Sequence, residues 1–399
     1  MGSYAAPDGH GATKERKEAG ARMNLTNVKN INLDRVYQLV YRNRSISKPE
    51  IADQLGLSLP TVARCVNELS EAGMISTQGF FESSGGRKAA VVSCVADARI
   101  ALGVEIRKDH ARFCVVDLYG NVLAERARPY RFAMDDGYCL RIGNEIANFF
   151  IELDRPRDVV LGVGVSIQGA VDRSTGRVTF GAVLGADGFS PELIARHIPF
   201  PCVLRHDSEA SAVCALWNEP AREDTIYIML DRNIGGAVIL NGSAHSGARL
   251  PSGLIEHMTL VPGGRSCYCG KRGCVETYCS AAALESAAGM RIPEFFGRLR
   301  AGDARCGEVW ERYLDDLGLA IYNAQMLLNA SVLLGGEVAR YMTQADLSAL
   351  SERALRNSGI ARDVGLPRIR LSGRSDSAAG AALHFIENYL YQLGVAAED

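Results

Sequence analysis

Four residues within the segment 253–280 have the types and spacing to hold a metal ion: His257, Cys267, Cys269 and Cys274, in G-L-I-E-H-M-T-L-V-P-G-G-R-S-C-Y-C-G-K-R-G-C-V-E-T-Y-C-S. Three thiolates and one imidazole are the soft and borderline donors that Zn²⁺ gathers tetrahedrally, and a closed Cys₃His set keeps no open position for a catalytic water. Gly270 and Gly273 let the backbone wrap such an ion. The expected cofactor is therefore a structural Zn²⁺ in a loop spanning residues 253–280. Scattered free thiols are the alternative.

That loop needs a framework. From about Arg99 the pattern becomes strand-like. A-L-G-V-E-I-R precedes A-R-F-C-V-V-D-L-Y-G-N-V-L-A-E, which predicts a β-hairpin turning at Tyr119-Gly120-Asn121. A helix is expected over residues 140–153 and a buried strand over residues 159–165. Gly235-Gly236 and Gly335-Gly336 lie at or beside apolar strands, which predicts turns where backbone comes close to a ligand. Strands and helices alternate again after Asp224, so the body reads as α/β with two lobes.

The front of the chain has a different pattern. Leu33, Val36, Leu39 and Val40 share one face of a predicted helix. Ser47-Lys48-Pro49-Glu50 is a capping box that opens a second helix with Ile51, Ala52 and Leu55 on its buried side, and Gly56 permits the turn that follows. A third helix starts at the cap Ser58, buries Val62, Val66 and Leu69, and turns Thr61, Arg64 and Asn67 the other way. Two short helices around a glycine-containing turn make a helix-turn-helix, whose second helix enters the major groove. Strand-like segments flank S-S-G-G-R-K, a wing tip with Arg87 and Lys88 towards the phosphates or the minor groove. The candidate DNA-binding residues are Ser58, Thr61, Arg64, Asn67, Arg87 and Lys88. The alternative is a packing module whose charges are a solvated face.

Bulk properties fit this division. A chain of 399 residues, 47% hydrophobic, is long enough for two or three domains. The formal charge of −2 argues against nucleic-acid binding along the whole chain, yet residues 1–100 carry a net +3 and the remainder −5. Eleven cysteines, an odd number, include Cys114, Cys202 and Cys214 within apolar stretches, as buried thiols in a reducing compartment would be. With neither a signal-peptide pattern nor an apolar run of membrane-spanning length, the expected location is cytoplasmic, with no membrane partner. The domain reading is a disordered leader over 1–22, a winged helix-turn-helix over 23–95, and an effector-sensing and oligomerisation domain over 96–399.

The helix-turn-helix, the hairpin, V-G-V-S-I-Q-G-A-V-D-R-S-T-G-R-V, L-R-H-D-S-E-A-S-A and C-Y-C-G-K-R-G-C-V-E together resemble the ROK family (repressors, open reading frames, kinases) over about residues 30–390. The resemblance implies a winged helix-turn-helix followed by a two-lobed actin-like, sugar-kinase fold. It also points to the transcriptional-regulator branch, which responds to xylose, glucose or N-acetylglucosamine. Kinases of the family hold ATP with an Asp-x-Gly-Gly-Thr loop; here Glu105, Arg107, Lys108 and Asp109 take those positions. Side chains then fill the space that glycines open to a triphosphate. In the second glycine loop, D-R-N-I-G-G-A-V keeps Gly235 and Gly236 but has Asp231 and Asn233 for two earlier glycines.

Asp207 matches the family's catalytic base and follows His206 rather than the kinases' Asn; Glu276 matches a glutamate that reaches sugar hydroxyls. The family's Glu-x-Gly-His becomes Leu254-Ile255-Glu256-His257, and F-G-A-V-L-G-A-D-G-F-S lacks the usual Asn. The candidate effector residues are His206, Asp207, Glu256, His257 and Glu276.

The resulting expectation is a non-enzymatic regulator, a homodimer or higher homo-oligomer, that represses carbohydrate-metabolism genes at operator DNA. A sugar or sugar phosphate between the lobes would modulate it. The alternatives are a sugar kinase with an appended DNA-binding domain and a regulator governed by a protein partner.

Overall fold

The computed structural model of the chain describes residues 31–80, 90–219, 223–245, 247, 252–357, 368–374 and 376–395. These form two compact units: one contains the described residues up to 98 together with 387–395, and the other runs from 99 to 386. The sequence boundary at 95/96 places the C-terminal residues with the body; the structure groups the last of them with the first unit.

In the first unit, residues 31–43 are helical and bury Val36, Tyr37 and Val40. Three strands follow in the order β1-β3-β2, all antiparallel: β1 (Ser45–Ser47), β2 (Ile75–Phe80) and β3 (Ala90–Cys94). The short β1 has no signal in the sequence, since three residues are too few for alternation to show. The capping box forms as expected: the Ser47 hydroxyl accepts from Glu50 N while the Glu50 carboxylate accepts from Ser47 N at 2.8 Å. Such a cap is worth about 1 kcal/mol.

Helix Lys48–Leu55 ends at Gly56, whose φ of 63° is left-handed and suits glycine. Ser58 then caps helix Leu59–Glu71, with Pro60 in its first turn. That helix buries Val62, Cys65 and Val66, whereas Leu69 is half-buried. Arg87 and Lys88 lie outside the described residues.

The second unit holds two five-stranded sheets. The first has the order β10-β7-β4-β5-β6, from β4 (Ile100–Ile106), β5 (Ala111–Val116), β6 (Val122–Arg128), β7 (Val160–Ile167) and β10 (Cys202–His206). β4–β5–β6 form an antiparallel meander with Gly120 at φ 75° in the predicted turn, while β7 and β10 run parallel to β4 and to each other respectively. Leu102, Val104, Val163 and Val165 pack with Tyr138, Ile142 and Ile146 of helix Asp136–Glu152. That helix starts four residues before the predicted one because Asp135 caps it, accepting from Tyr138 N at 2.7 Å.

The other face of this sheet is built from glycines. A Cβ on Gly103 would lie 2.1 Å from Ala378 O, and one on Gly164 would lie 2.0 Å from Ala381 O. Helix Ser377–Gln392 therefore rests directly on strand backbone there. A two-stranded ribbon, β8 (Ala170–Asp172) with β9 (Arg177–Phe180), extends from the end of β7.

The second sheet has the order β13-β12-β11-β14-β15, from β11 (Thr225–Leu230), β12 (Ile234–Leu240), β13 (Ser243–Ala244), β14 (Ser331–Gly335) and β15 (Ile369–Leu371). Ile226, Ile228 and Leu230 pack against the helices of residues 281–356, including Phe295, Trp310 and Leu317. Tyr227, Met229 and Ile239 face Ala212 and Leu216 of helix Asp207–Leu216.

Gly235 and Gly236 lie inside β12, paired with Met229 and Ile228, rather than in a turn. Their smallness serves packing: a Cβ on Gly236 would meet Gly253 O at 2.3 Å, and one on Gly235 would meet Ser208 at 3.0 Å. No helix among the described residues is long and apolar enough to cross a membrane.

Candidate functional site

The metal cluster assembles as its spacing predicts. His257 ends a 3₁₀ turn, Ile255–His257, and Cys274 lies two residues before the short helix Glu276–Cys279. Tight backbone bonds fold the intervening loop: Cys267 N donates to Lys271 O at 2.9 Å and Gly273 N to Arg265 O at 2.8 Å. The four ligand atoms lie within 4.8 Å of one another, with Cys267 Sγ 3.8 Å from His257 Nδ1 and Cys269 Sγ 3.7 Å from Cys274 Sγ. A tetrahedron with Zn–S bonds near 2.3 Å has edges of about 3.8 Å, whereas a disulfide would bring two sulfurs to about 2.05 Å. Burial and the nearby Lys271 ammonium lower the His257 pKa, which favours the neutral imidazole that a metal requires. The donor set fits Zn²⁺, and these four residues would hold it. The Phe180 and Tyr268 rings meet His257 edge-on at 5.9 and 5.2 Å.

Beside this cluster lies a recess of about 40 Å³. His206, Asp207, Glu256 and His257 line it together with Phe180 and Tyr268. The recess adjoins a cleft of about 920 Å³, because Gln168, Val183, Met229 and Asn233 line both. Glu276 is not among the residues lining either cavity. Its carboxylate instead accepts from Asn233 Nδ2 and from Ile234 N, each at 2.8 Å, and so fixes the start of β12.

His206 ends β10, and Asp207 is the first residue of the following helix. The Ser208 hydroxyl donates to Gly236 O at 2.9 Å and lies 3.0 Å from His206 Nδ1, so Nδ1 acts as the donor to Ser208. His206 Nε2 is then directed at Asp207, 3.4 Å away. Burial raises the Asp207 pKa against the opposing pull of His206 and Arg107. Glu256 is pushed up to about 8, by burial first and then by the carboxylates of Asp207 and Glu276. Its Oε2 atom is buried without a hydrogen-bond partner.

Arg107, just beyond β4, is surrounded by acidic groups. Its guanidinium lies 2.7 Å from Glu105, 3.3 Å from Asp231 and 3.6 Å from Asp207. Glu105 also accepts from Ser377 Oγ at 2.7 Å and from Arg112 at 3.2 Å. Burial alone would raise the Glu105 pKa, but Arg107, Ser377 and Arg112 bring it down to about 2. Lys108 and Asp109 are exposed on the wall of the cleft, with the Asp109 side chain 86% exposed and paired to His110.

This arginine bridge was legible only as a substitution in a loop. Its three acidic partners are up to 124 residues away. The aromatic pair around His257 had no sequence signal.

On the first unit, Ser58, Arg64 and Asn67 are exposed and Thr61 is half-buried, all on or beside helix Leu59–Glu71. The Ser58 and Thr61 hydroxyls are 2.9 Å apart, and Arg64 pairs with Glu68 at 3.5 Å.

Residues 101–387 match the ROK family, and residues 32–76 match a winged helix-turn-helix DNA-binding family. The chain is 27% identical over 382 residues to the DNA-binding transcriptional dual regulator NagC of Escherichia coli K12, covering 90% of this chain and 93% of that protein. It is 25% identical over 261 residues to the xylose repressor of Bacillus subtilis, covering 65% and 68%. Among solved structures it superposes on a ROK family transcriptional regulator, a homologue of the E. coli MLC protein. That match has a TM-score of 0.70 at 20% identity and covers 93% of this chain and all of the other. A ROK family glucokinase from Streptomyces griseus, solved with glucose and AMPPNP, matches with a TM-score of 0.62 at 21% identity, over 71% and 98%.

Proposed function

The chain belongs to the ROK family, and from that premise we propose that it is a cytoplasmic transcriptional regulator that represses carbohydrate-metabolism genes and answers to a sugar or sugar derivative. The observation that carries this reading is the pairing of two features in one chain. A winged helix-turn-helix leads the ROK body. Within that body, the Arg107 guanidinium is tied to Glu105, Asp207 and Asp231, which supports a segment 105–109 that holds acids together rather than one that opens backbone to a triphosphate. Relatives named as regulators support the same conclusion, NagC over 93% of its length and the xylose repressor over 68%.

In this mechanism Ser58, Thr61, Arg64 and Asn67, with Arg87 and Lys88 from the wing, contact bases and phosphates of an operator half-site. Two copies present two recognition helices to a palindrome. His206, Asp207 and Glu256 bind the effector next to a structural Zn²⁺ held by His257, Cys267, Cys269 and Cys274. Glu276 supports the site through Asn233 and β12. An effector that binds one arrangement of the body better than the other shifts the population away from the DNA-competent form.

The test is a gel shift on the region upstream of the protein's own gene, with and without a panel of sugars and sugar phosphates. A retarded complex that one ligand dissolves is the expected result. A complex that no ligand alters favours control by a protein partner. ATP-dependent phosphorylation of any hexose, abolished in Asp207→Asn, would establish the kinase reading instead.

A further inference from the structure

The helix Leu59–Glu71 opens on hydrocarbon. Its cap, Ser58, accepts from Thr61 N at 3.3 Å through a hydroxyl that also lies 2.9 Å from Thr61 Oγ1. Val62 N donates to Ser58 O at 3.0 Å, and Pro60 has no N–H to give. The polar groups of the first turn are thus largely spent on one another. Leu59, the first helical residue, is 53% exposed, with Pro60 exposed beside it. Ala63, half-buried, is its neighbour one turn further along the helix surface.

The other large apolar side chains of this helix and of Lys48–Leu55 turn inward. Ile51, Val62 and Val66 are fully buried, and Leu55 and Leu69 are half-buried. A single exposed leucine is ordinary on a protein surface; its place in the chain gives this one a meaning. It begins the second helix of a segment, residues 32–76, that matches a winged helix-turn-helix DNA-binding family. In a helix-turn-helix the N-terminal residues of that helix reach the base edges in the major groove. Further along, Arg64 and Asn67 carry exposed donors that suit guanine and adenine. Neither donor reads the one apolar group in the groove, the 5-methyl of thymine. An aliphatic side chain does, by removing that methyl from water.

We propose that Leu59 is a specificity-determining residue, whose side chain packs against the 5-methyl group of a thymine in the operator half-site. This deepens the DNA-binding reading above and rests on it. The cap at Ser58 and the proline that follows Leu59 fix the first turn, so the leucine is held at the helix end without further ordering of the backbone.

The full-length protein, without added sugar, first selects its operator from a pool of random duplexes. Each thymine of the selected half-site is then replaced in turn by deoxyuridine, which removes the methyl group and keeps the base pair. Deoxyuridine at one thymine should weaken binding by about fourfold, and at the matching thymine of both half-sites by about sixteenfold, the effect of one buried methyl group per site.

Leu59→Ala should bind the thymine and deoxyuridine duplexes equally, whereas Leu59→Met, with a side chain of similar reach, should keep most of the preference. Both variants should melt as the parent does, since the side chain already lies half in water. Indifference of the parent to every deoxyuridine, or a preference that survives in Leu59→Ala, overturns the proposal while leaving operator binding in place. Altered subunit association in Leu59→Ala, with the thymine preference intact, overturns it in favour of a protein contact. Selection of no duplex overturns both the proposal and the DNA-binding reading.

Discussion

Arg107 and Asp207 lie 3.6 Å apart, each mostly buried, one following β4 of the first sheet and the other opening the helix that packs beneath the second. With Glu105 and Asp231 on the same guanidinium, this single side chain joins three acidic groups from separate segments. Removing it leaves the acids to repel one another without a counter-charge. Arg107→Ala should therefore lower unfolding free energy by about 3 kcal/mol or more, read as a fall in the urea midpoint. Arg107→Lys should recover only part of the loss, since an ammonium cannot present the same fork.

The Cys₃His cluster predicts one Zn²⁺ per chain in elemental analysis of the purified protein. Cys274→Ser should lose the metal and lower the melting temperature, and a strong chelator should produce the same shift in the parent protein. Cys279, five residues on and fully buried, belongs to the apolar core rather than to the cluster. Cys279→Ser should therefore keep its zinc. Equal zinc loss in both variants would contradict the assignment of ligands.

Glu105 gives a dependence on pH with a definite sign. Its carboxyl is held at about 2 in the folded chain against an ordinary value of 4.5, so the unfolded state binds the extra proton first. The stabilisation is present in full above pH 4.5 and is lost as pH falls towards 2. It amounts to on the order of 3 kcal/mol. In urea titrations, Glu105→Gln should be less stable than the parent near neutrality, and the gap should narrow steadily below pH 4.5.

Arg64 is exposed on the recognition helix, with Glu68 as its intrahelical partner. Arg64→Ala should weaken specific operator binding by about 1–3 kcal/mol and leave the thermal stability of the protein unchanged. Affinity measured at several salt concentrations decides its role. A shallower salt slope marks a phosphate contact, and an unchanged slope with relaxed sequence preference marks a base contact.

The contacts legible in the sequence are the local ones. Ser47 with Glu50, Ser58 with Thr61, and Cys267 with Cys274 are close along the chain, so spacing alone places them near each other. Residues that meet across the fold are not legible in that way. Glu276 follows the zinc cysteines, yet its hydrogen bonds go to Asn233 and Ile234, more than 40 residues earlier. Gly236 reads as a turn glycine until β11 and β12 pair and bring Gly253 O against it. Glu256, in the position of a family glycine, was visible as a departure, but its unpartnered buried oxygen depends on how β12 and the zinc loop pack.

The glycine face of the first sheet has a consequence for synthesis. Strands β4 to β10 are complete by residue 206, but the helix that rests on Gly103 and Gly164 begins at Ser377. At ribosomal speeds of about 5–20 residues per second, the intervening 170 or so residues take roughly 10 to 35 seconds to make. Throughout that interval the glycine face of the sheet lacks the helix that covers it in the folded chain. Native closure of the first sheet thus waits until residues 377–392 have been made.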